Sequence, residues 1–223
     1  MSQPNDASSA VSGRGAGAGA GADPGAGPAG AGEVSGDEVK QLLRDPGLPE
    51  AVRRALLGGA KLERIELDPE GQWRHQGEPF TNPNLIALFH RSIARTAGGT
   101  YVLQIPPFSY PITVADTPRF VRHVRIAARE AGGREAGGPA VTLLLSDGSE
   151  QPLAADGLAY VADRGLYCRV LSPDGSRWPA RFLRPAYYAL AEHLVEEGGA
   201  FQLDLPSGRV PIPTVEHAAA VAV

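Results

Sequence analysis

The sequence predicts an α+β fold: two hairpin–helix–hairpin repeats joined by an antiparallel strand meander, with mostly antiparallel sheet. Three observations carry this prediction. Short alternating apolar segments are separated by turns rich in Gly and Pro, the pattern of antiparallel strands. Two segments with apolar residues at helical spacing open on a proline, Pro83 and Pro185. Features of residues 68–114 then recur, in the same order, in the last third of the chain.

The expected organisation is a disordered Gly/Ala-rich tail over 1–34, short N-terminal helices over 35–59, a first repeat over 60–118, a strand meander over 119–163, a second repeat over 164–216 and a tail over 217–223. The first segment has almost no large apolar side chains, so it cannot bury enough surface to offset its ordering entropy. It is not a phosphate loop, which needs a preceding strand, a following helix and a Lys-Ser/Thr pair. Ser35-Gly36-Asp37-Glu38 has the S-x-x-E form of a capping box, so a helix follows, with Val39, Leu42 and Leu43 on one face. Pro46 ends it, Pro49 opens a second short helix, and Gly58-Gly59 stops that one. Leu62, Ile65 and Leu67 alternate with charges and read as a strand, followed by turn residues Asp68-Pro69-Glu70-Gly71 and a return through Trp73 and His75.

Asn82-Pro83 is an N-cap followed by proline at the first helical position. Leu85, Leu88, Phe89 and Ile93 line one helical face, and Gly98-Gly99 is expected to stop the helix. Tyr101, Leu103 and Ile105 begin a strand that Pro106-Pro107 breaks, and Tyr110, Ile112 and Val114 return. A long strand is expected from Phe120 to about Arg129, a loop over 130–139, a strand over Val141–Leu145 and a two-residue hairpin turn at Asp147-Gly148. In the last third, Pro173-Asp174-Gly175 mirrors Pro69-Glu70-Gly71 and Trp178 mirrors Trp73. Tyr187, Leu190, Leu194 and Val195 take the helical positions, Gly198-Gly199 mirrors Gly98-Gly99, and Pro211-Ile212 mirrors Pro111-Ile112.

Several stretches together resemble the bacterial family DUF1285: Gly71-x-Trp73-x-x-x-Gly77, Leu85 to Phe89, Gly99-Thr100-Tyr101-x-Leu103, Ile112-x-Val114-x-Asp116-x-Pro118, Arg164 to Val170, and Arg184 to Leu190. The resemblance spans roughly residues 61–215. It implies a two-part α+β fold with repeated motifs, no established activity, a suggested role in signal transduction, and no catalytic residues to carry over. The chain departs from the family at Ile105 to Ser109, where a Thr-Pro-x-Glu-like segment is usual, and at Arg119, which displaces Phe120 by one place.

Composition narrows the chemistry. The net charge is −4, with 21 Lys+Arg against 25 Asp+Glu. The densest basic stretch, Arg119 to Arg125, alternates like the solvated face of a strand, so no nucleic-acid partner is expected. No apolar run approaches the ~18 residues of a membrane span, and no signal peptide is visible. A cytoplasmic protein without a membrane partner is therefore expected. The single cysteine, Cys168, precludes an internal disulfide and reads as a small buried residue. The five histidines show no metal-ligand spacing, so no metal and no cofactor are expected.

No nucleophile elbow is present, and no catalytic residue is named. The first expectation is a non-enzymatic regulatory or signalling module that binds a small molecule or a protein partner. Its candidate ligand-binding residues are Trp73, His75, Tyr110, Asp116 and Arg164, in a groove between the two halves. The alternative is an enzyme of unrecognised type that uses His75 or His90 with Asp116. It requires those side chains to converge in one pocket. A structural homo-oligomer would instead expose an apolar patch.

Overall fold

The computed structural model describes residues 32–127, 140–205 and 208–222. Residues 1–31 of the expected tail and the expected 130–139 loop lie outside the described residues. The elements run α1 Gly36–Arg44, α2 Glu50–Leu57, β1 Ile65–Leu67, β2 Trp73–His75, β3 Glu78–Pro79, α3 Pro83–Ser92, β4 Ile93–Arg95, β5 Tyr101–Ile105, β6 Phe108–Pro111, β7 Thr113–Val114 and β8 Arg119–Ile126. They continue as β9 Val141–Leu145, β10 Glu150–Pro152, β11 Leu158–Val161, β12 Gly165–Leu171, β13 Arg177–Phe182, α4 Arg184–Ala191, β14 Leu194–Glu197, β15 Ala200–Leu205, β16 Gly208–Pro211 and β17 Thr214–Val215. The fold is α+β, and its strand pairs are mostly antiparallel.

Local chemistry sets the helix starts. The Ser35 Oγ accepts from the Glu38 N–H while the Glu38 carboxylate accepts from the Ser35 N–H, which closes the predicted capping box. Asn82 Oδ1 accepts from the N–H groups of Asn84 and Leu85 at the head of α3, ahead of Pro83.

The helix ends differ from the expectation. The α3 helix stops at Ser92, and Ile93 pairs with Leu103 as the first residue of β4. Likewise α4 stops at Ala191, and Leu194 and Val195 belong to β14. Gly98-Gly99 and Gly198-Gly199 therefore turn one strand into the next, with Gly99, Gly198 and Gly199 at positive φ. The apolar spacing from Phe89 to Ile93 continues across the helix–strand junction, so periodicity alone does not locate it. Each expected second hairpin is accordingly a three-stranded antiparallel sheet, β4-β5-β6 and β14-β15-β16.

A four-stranded sheet has the order β3-β2-β1-β7, and a seven-stranded sheet has the order β10-β9-β8-β13-β12-β11-β17. In both, a parallel pair (β1 with β7, β11 with β17) flanks an antiparallel run. The Asp68 turn joins β1 to β2, whereas Pro173-Asp174-Gly175 joins β12 to β13, and Trp178 lies on β13. Strand β8 runs parallel to β13 and so joins the strands of the middle segment to those that follow. The expected strand to Arg129 ends at Ile126, and a bulge between Val121 and His123 interrupts its alternation.

One core draws on all four sheets. It contains Leu67, Trp73, Phe89 and Leu103 together with Phe120, Leu143, Trp178, Leu190 and Leu203. A smaller cluster packs Leu48, Val52 and Leu56 of the N-terminal segment on Leu62 and Tyr110. The closing residues, expected as a tail over 217–223, instead form a 3-10 turn over Ala218–Ala222. It buries Ala218 and Val221 against Val161 and Tyr167, an apolar gain that holds the segment in place. At the other end of the chain, Glu33 of the expected 1–34 tail bridges to Glu63.

Candidate functional site

Asp116 follows β7, where the Ala115 N–H donates to the Leu67 carbonyl and fixes the chain beside β1. Its side chain is 1% exposed and is held entirely by the second half. Arg164 Nη1 donates to it at 3.0 Å, the Tyr167 hydroxyl donates at 2.5 Å, and Arg181 Nη1 lies at 3.5 Å. Arg181 also donates to the Pro69 carbonyl. Burial and the adjacent Asp116 carboxylate push the Tyr167 phenol well above its ordinary range. This carboxylate ties two segments of the fold together and has no free lone pair directed at solvent.

A second polar group forms around Glu63. The His75 ring lies 2.6 Å from the Glu63 carboxylate, and the Tyr110 hydroxyl donates to the Glu63 carbonyl at 2.7 Å. His75 pairs with Ile65 at one end of β1, whereas Asp116 follows the Leu67 end. The five expected ligand-binding residues therefore separate. Asp116 and Arg164 form one cluster, and His75 and Tyr110 form another. Trp73 is 1% exposed in the core, edge-on to Phe89 at 5.2 Å, and belongs to neither cluster.

The alternative His/Asp pairing does not assemble. His75 faces Glu63, and His90 is fully buried on α3 with neither ring nitrogen hydrogen-bonded among the described residues. Burial first, then the charges of Arg122 and Arg119, pull its pKa down to about 3, so it is neutral at physiological pH. Arg119, expected on a solvated face, is 2% exposed. It ion-pairs with Asp147 at 3.1 Å, donates to the His90 carbonyl and stacks over the Trp178 ring. The pairing and stacking offset part of its lost hydration, and burial still pulls its pKa below the ordinary value. Cys168 is fully buried, and burial pushes its thiol far above the reactive range. No group of three His, Cys, Asp or Glu side chains among the described residues is placed to hold a metal ion. No helix there is long and apolar enough to cross a membrane.

A feature missed in the sequence is an apolar cavity of about 340 Å³. Tyr187 of α4 forms one wall. Leu194 and Phe201, from β14 and β15, form another. Tyr160, Leu166 and Thr214 come from the edge of the seven-stranded sheet, and Ile212 lies between the two sheets. No charged side chain lines it. Phe201, Tyr188 and Tyr160 are among the most exposed large apolar residues, and Tyr188 stacks edge-on to the cavity residue Tyr187. The signal in the sequence was weak: in an alternating strand, an apolar residue facing a cavity is spelled like one facing the core.

No family model and no curated protein matches the chain. Two solved structures do. One is the crystal structure of a DUF1285 family protein from Silicibacter pomeroyi DSS-3, with 23% identity over 68% of this chain and 80% of that one and a TM-score of 0.48. The other is a DUF1285 family protein from Shewanella baltica OS155, with 17% identity over 58% of this chain and 91% of that one and a TM-score of 0.41. Both carry the name of the family that the ordered motifs of this chain resemble, and it is to DUF1285 proteins that the chain is similar.

Proposed function

We propose that the chain is a non-enzymatic regulatory module of the DUF1285-like kind, which binds a small ligand through its second half. The observation that carries this reading is a separation of chemistry from space. The candidate acids and bases, Asp116, His75 and His90, are tied to other side chains or buried, while no charged side chain lines the cavity. Concave, mostly apolar sites of a few hundred Å³ are typical small-molecule pockets. A signalling role is consistent with binding that changes no covalent bond.

The reading of the chain as two related copies has support in matched registers. Val102 pairs with Pro111 and Leu103 with Tyr110, as Gln202 pairs with Pro211 and Leu203 with Val210. The Ile112 N–H donates to the Tyr101 carbonyl as the Ile212 N–H donates to the Phe201 carbonyl. Two copies of one architecture can diverge, one keeping a structural role and the other a binding role.

A thermal-shift screen of the full-length chain against metabolites, nucleotides, acyl chains and metal salts tests the proposal. A ligand of the folded state at a hundredfold excess over Kd adds about 2.7 kcal/mol of apparent stability. At least one compound is expected to raise Tm, without turnover. Turnover of a stabilising compound that Asp116→Asn abolishes would overturn the reading in favour of an enzyme.

A further inference from the structure

We propose that the second-half cavity is a site for an uncharged apolar small molecule, of the class of a medium-chain alcohol or a neutral aromatic amine. The inference rests on the binding-module reading and names its ligand class. Three observations lead to it.

The first is the lining. Its side chains are apolar, Leu166, Leu194, Phe201 and Ile212, or carry a hydroxyl as their one polar group, Tyr160, Tyr187 and Thr214. A phosphate or carboxylate drawn inside would lose its hydration with no cation to replace it. A neutral molecule with one donor or acceptor loses little, because a hydroxyl can serve it in either role.

The second is enclosure by regular elements. The walls are a helix and strands of two sheets, so the shape is set before any ligand arrives. A volume of about 340 Å³ lies at the lower end of the range for small-molecule sites and is too small for a folded partner element.

The third is the contrast with the first half. Where register matches Phe201 to Tyr101, Tyr101 packs edge-on against Trp178 at 5.8 Å. Pro111 and Ile112 are buried there, and with Leu42, Glu38 and Arg64 they line an opening of about 220 Å³. In the second half Phe201 is 56% exposed and Pro211 is exposed. The first half thus keeps a smaller opening with an ion pair, Glu38 and Arg64, on its wall, and the second half a larger one that no charged side chain lines.

The test uses N-phenyl-1-naphthylamine, a neutral probe that fluoresces in apolar surroundings, titrated against the full-length chain. One saturable site per chain is expected, displaced by 1-decanol in preference to decanoate at pH 8. Phe201→Glu places a charge at the mouth, and Thr214→Trp fills it. Each is expected to weaken binding by about tenfold or more, since charge or bulk there costs at least ~1.4 kcal/mol of binding. Both positions are exposed, so Tm should hold, and Phe108→Glu at a remote hairpin tip should leave binding unchanged.

Absence of saturable binding, indifference to both mouth substitutions, or preference for decanoate would each overturn the inference. So would self-association that Phe201→Glu abolishes, which would make this face a protein interface. A polar ligand from the broad screen that ignores these substitutions overturns the apolar site alone and leaves the module reading intact.

Discussion

At position 90 a fully buried histidine is held neutral, its pKa pulled to about 3 from 6.5 by burial and by two nearby arginines. The unfolded chain takes up that proton below pH 6.5, while the folded chain refuses it until about 3. Stability therefore falls as pH drops through this window. Urea midpoints taken between about pH 8 and 5 should decline, and His90→Phe should flatten the decline. An unchanged slope would show that His90 is not the group that titrates. Asp45 acts lower on the scale. Burial pushes its carboxyl up, but hydrogen bonds from Thr100, Thr96 and Gly47 outweigh burial and bring it from 3.8 to about 2. Its contribution is present above 3.8 and is lost as pH falls toward 2. Asp45→Asn should remove this lower step and cost about 1–3 kcal/mol at neutral pH, because it weakens the acceptor shared by those three donors.

Among the elements, α1 and α2 form a strut that the Leu48, Val52 and Leu56 cluster seats on Leu62 and Tyr110 and that polar contacts reinforce. Glu38 is shared between the Ser35 cap and a 2.7 Å ion pair with Arg64, and Arg53 donates to the carbonyls of Leu43 and Asp45. Ser35→Ala should cost about 0.5–2 kcal/mol. The loss should appear as faster amide exchange in residues 36–44 before any change in the exchange of β12 and β13. Equal acceleration everywhere would mean that the helix unfolds only with the whole. Helix starts were legible in the sequence because caps and prolines act within one turn: Ser35, Asn82 and Pro185 all lie where local chemistry put them. Helix ends were not, because whether Ile93 continues a helix or pairs with Leu103 is decided by a strand ten residues away. The same limit applies to turns. Turn chemistry at Pro173-Asp174-Gly175 is genuine, but only pairing across the sheet reveals which strands it joins.

For the whole molecule, the halves are joined by a shared core and by Asp116, whose partners Arg164 and Tyr167 lie 48 and 51 residues further along the chain. Asp116→Asn should destabilise the chain by about 1–3 kcal/mol, the range for a buried acceptor that loses charged and neutral donors. The measurement is urea unfolding, which should stay two-state because the core is continuous. A variant as stable as the parent would leave Asp116 free for a binding role. Asp116 and Arg164 stood out in the sequence as candidate ligand contacts, but their pairing with each other was not legible. The cavity was illegible, since its lining is drawn from residues 160–214, each of which reads alone as core. Trp73 and Trp178, the two tryptophans of the chain, are each 1% exposed in that core, and neither lines the cavity. The protein thus carries its own optical gauge: indole emission should stay blue while a ligand enters and turn red only when the core opens, so occupancy and unfolding can be read in one cuvette at separate wavelengths.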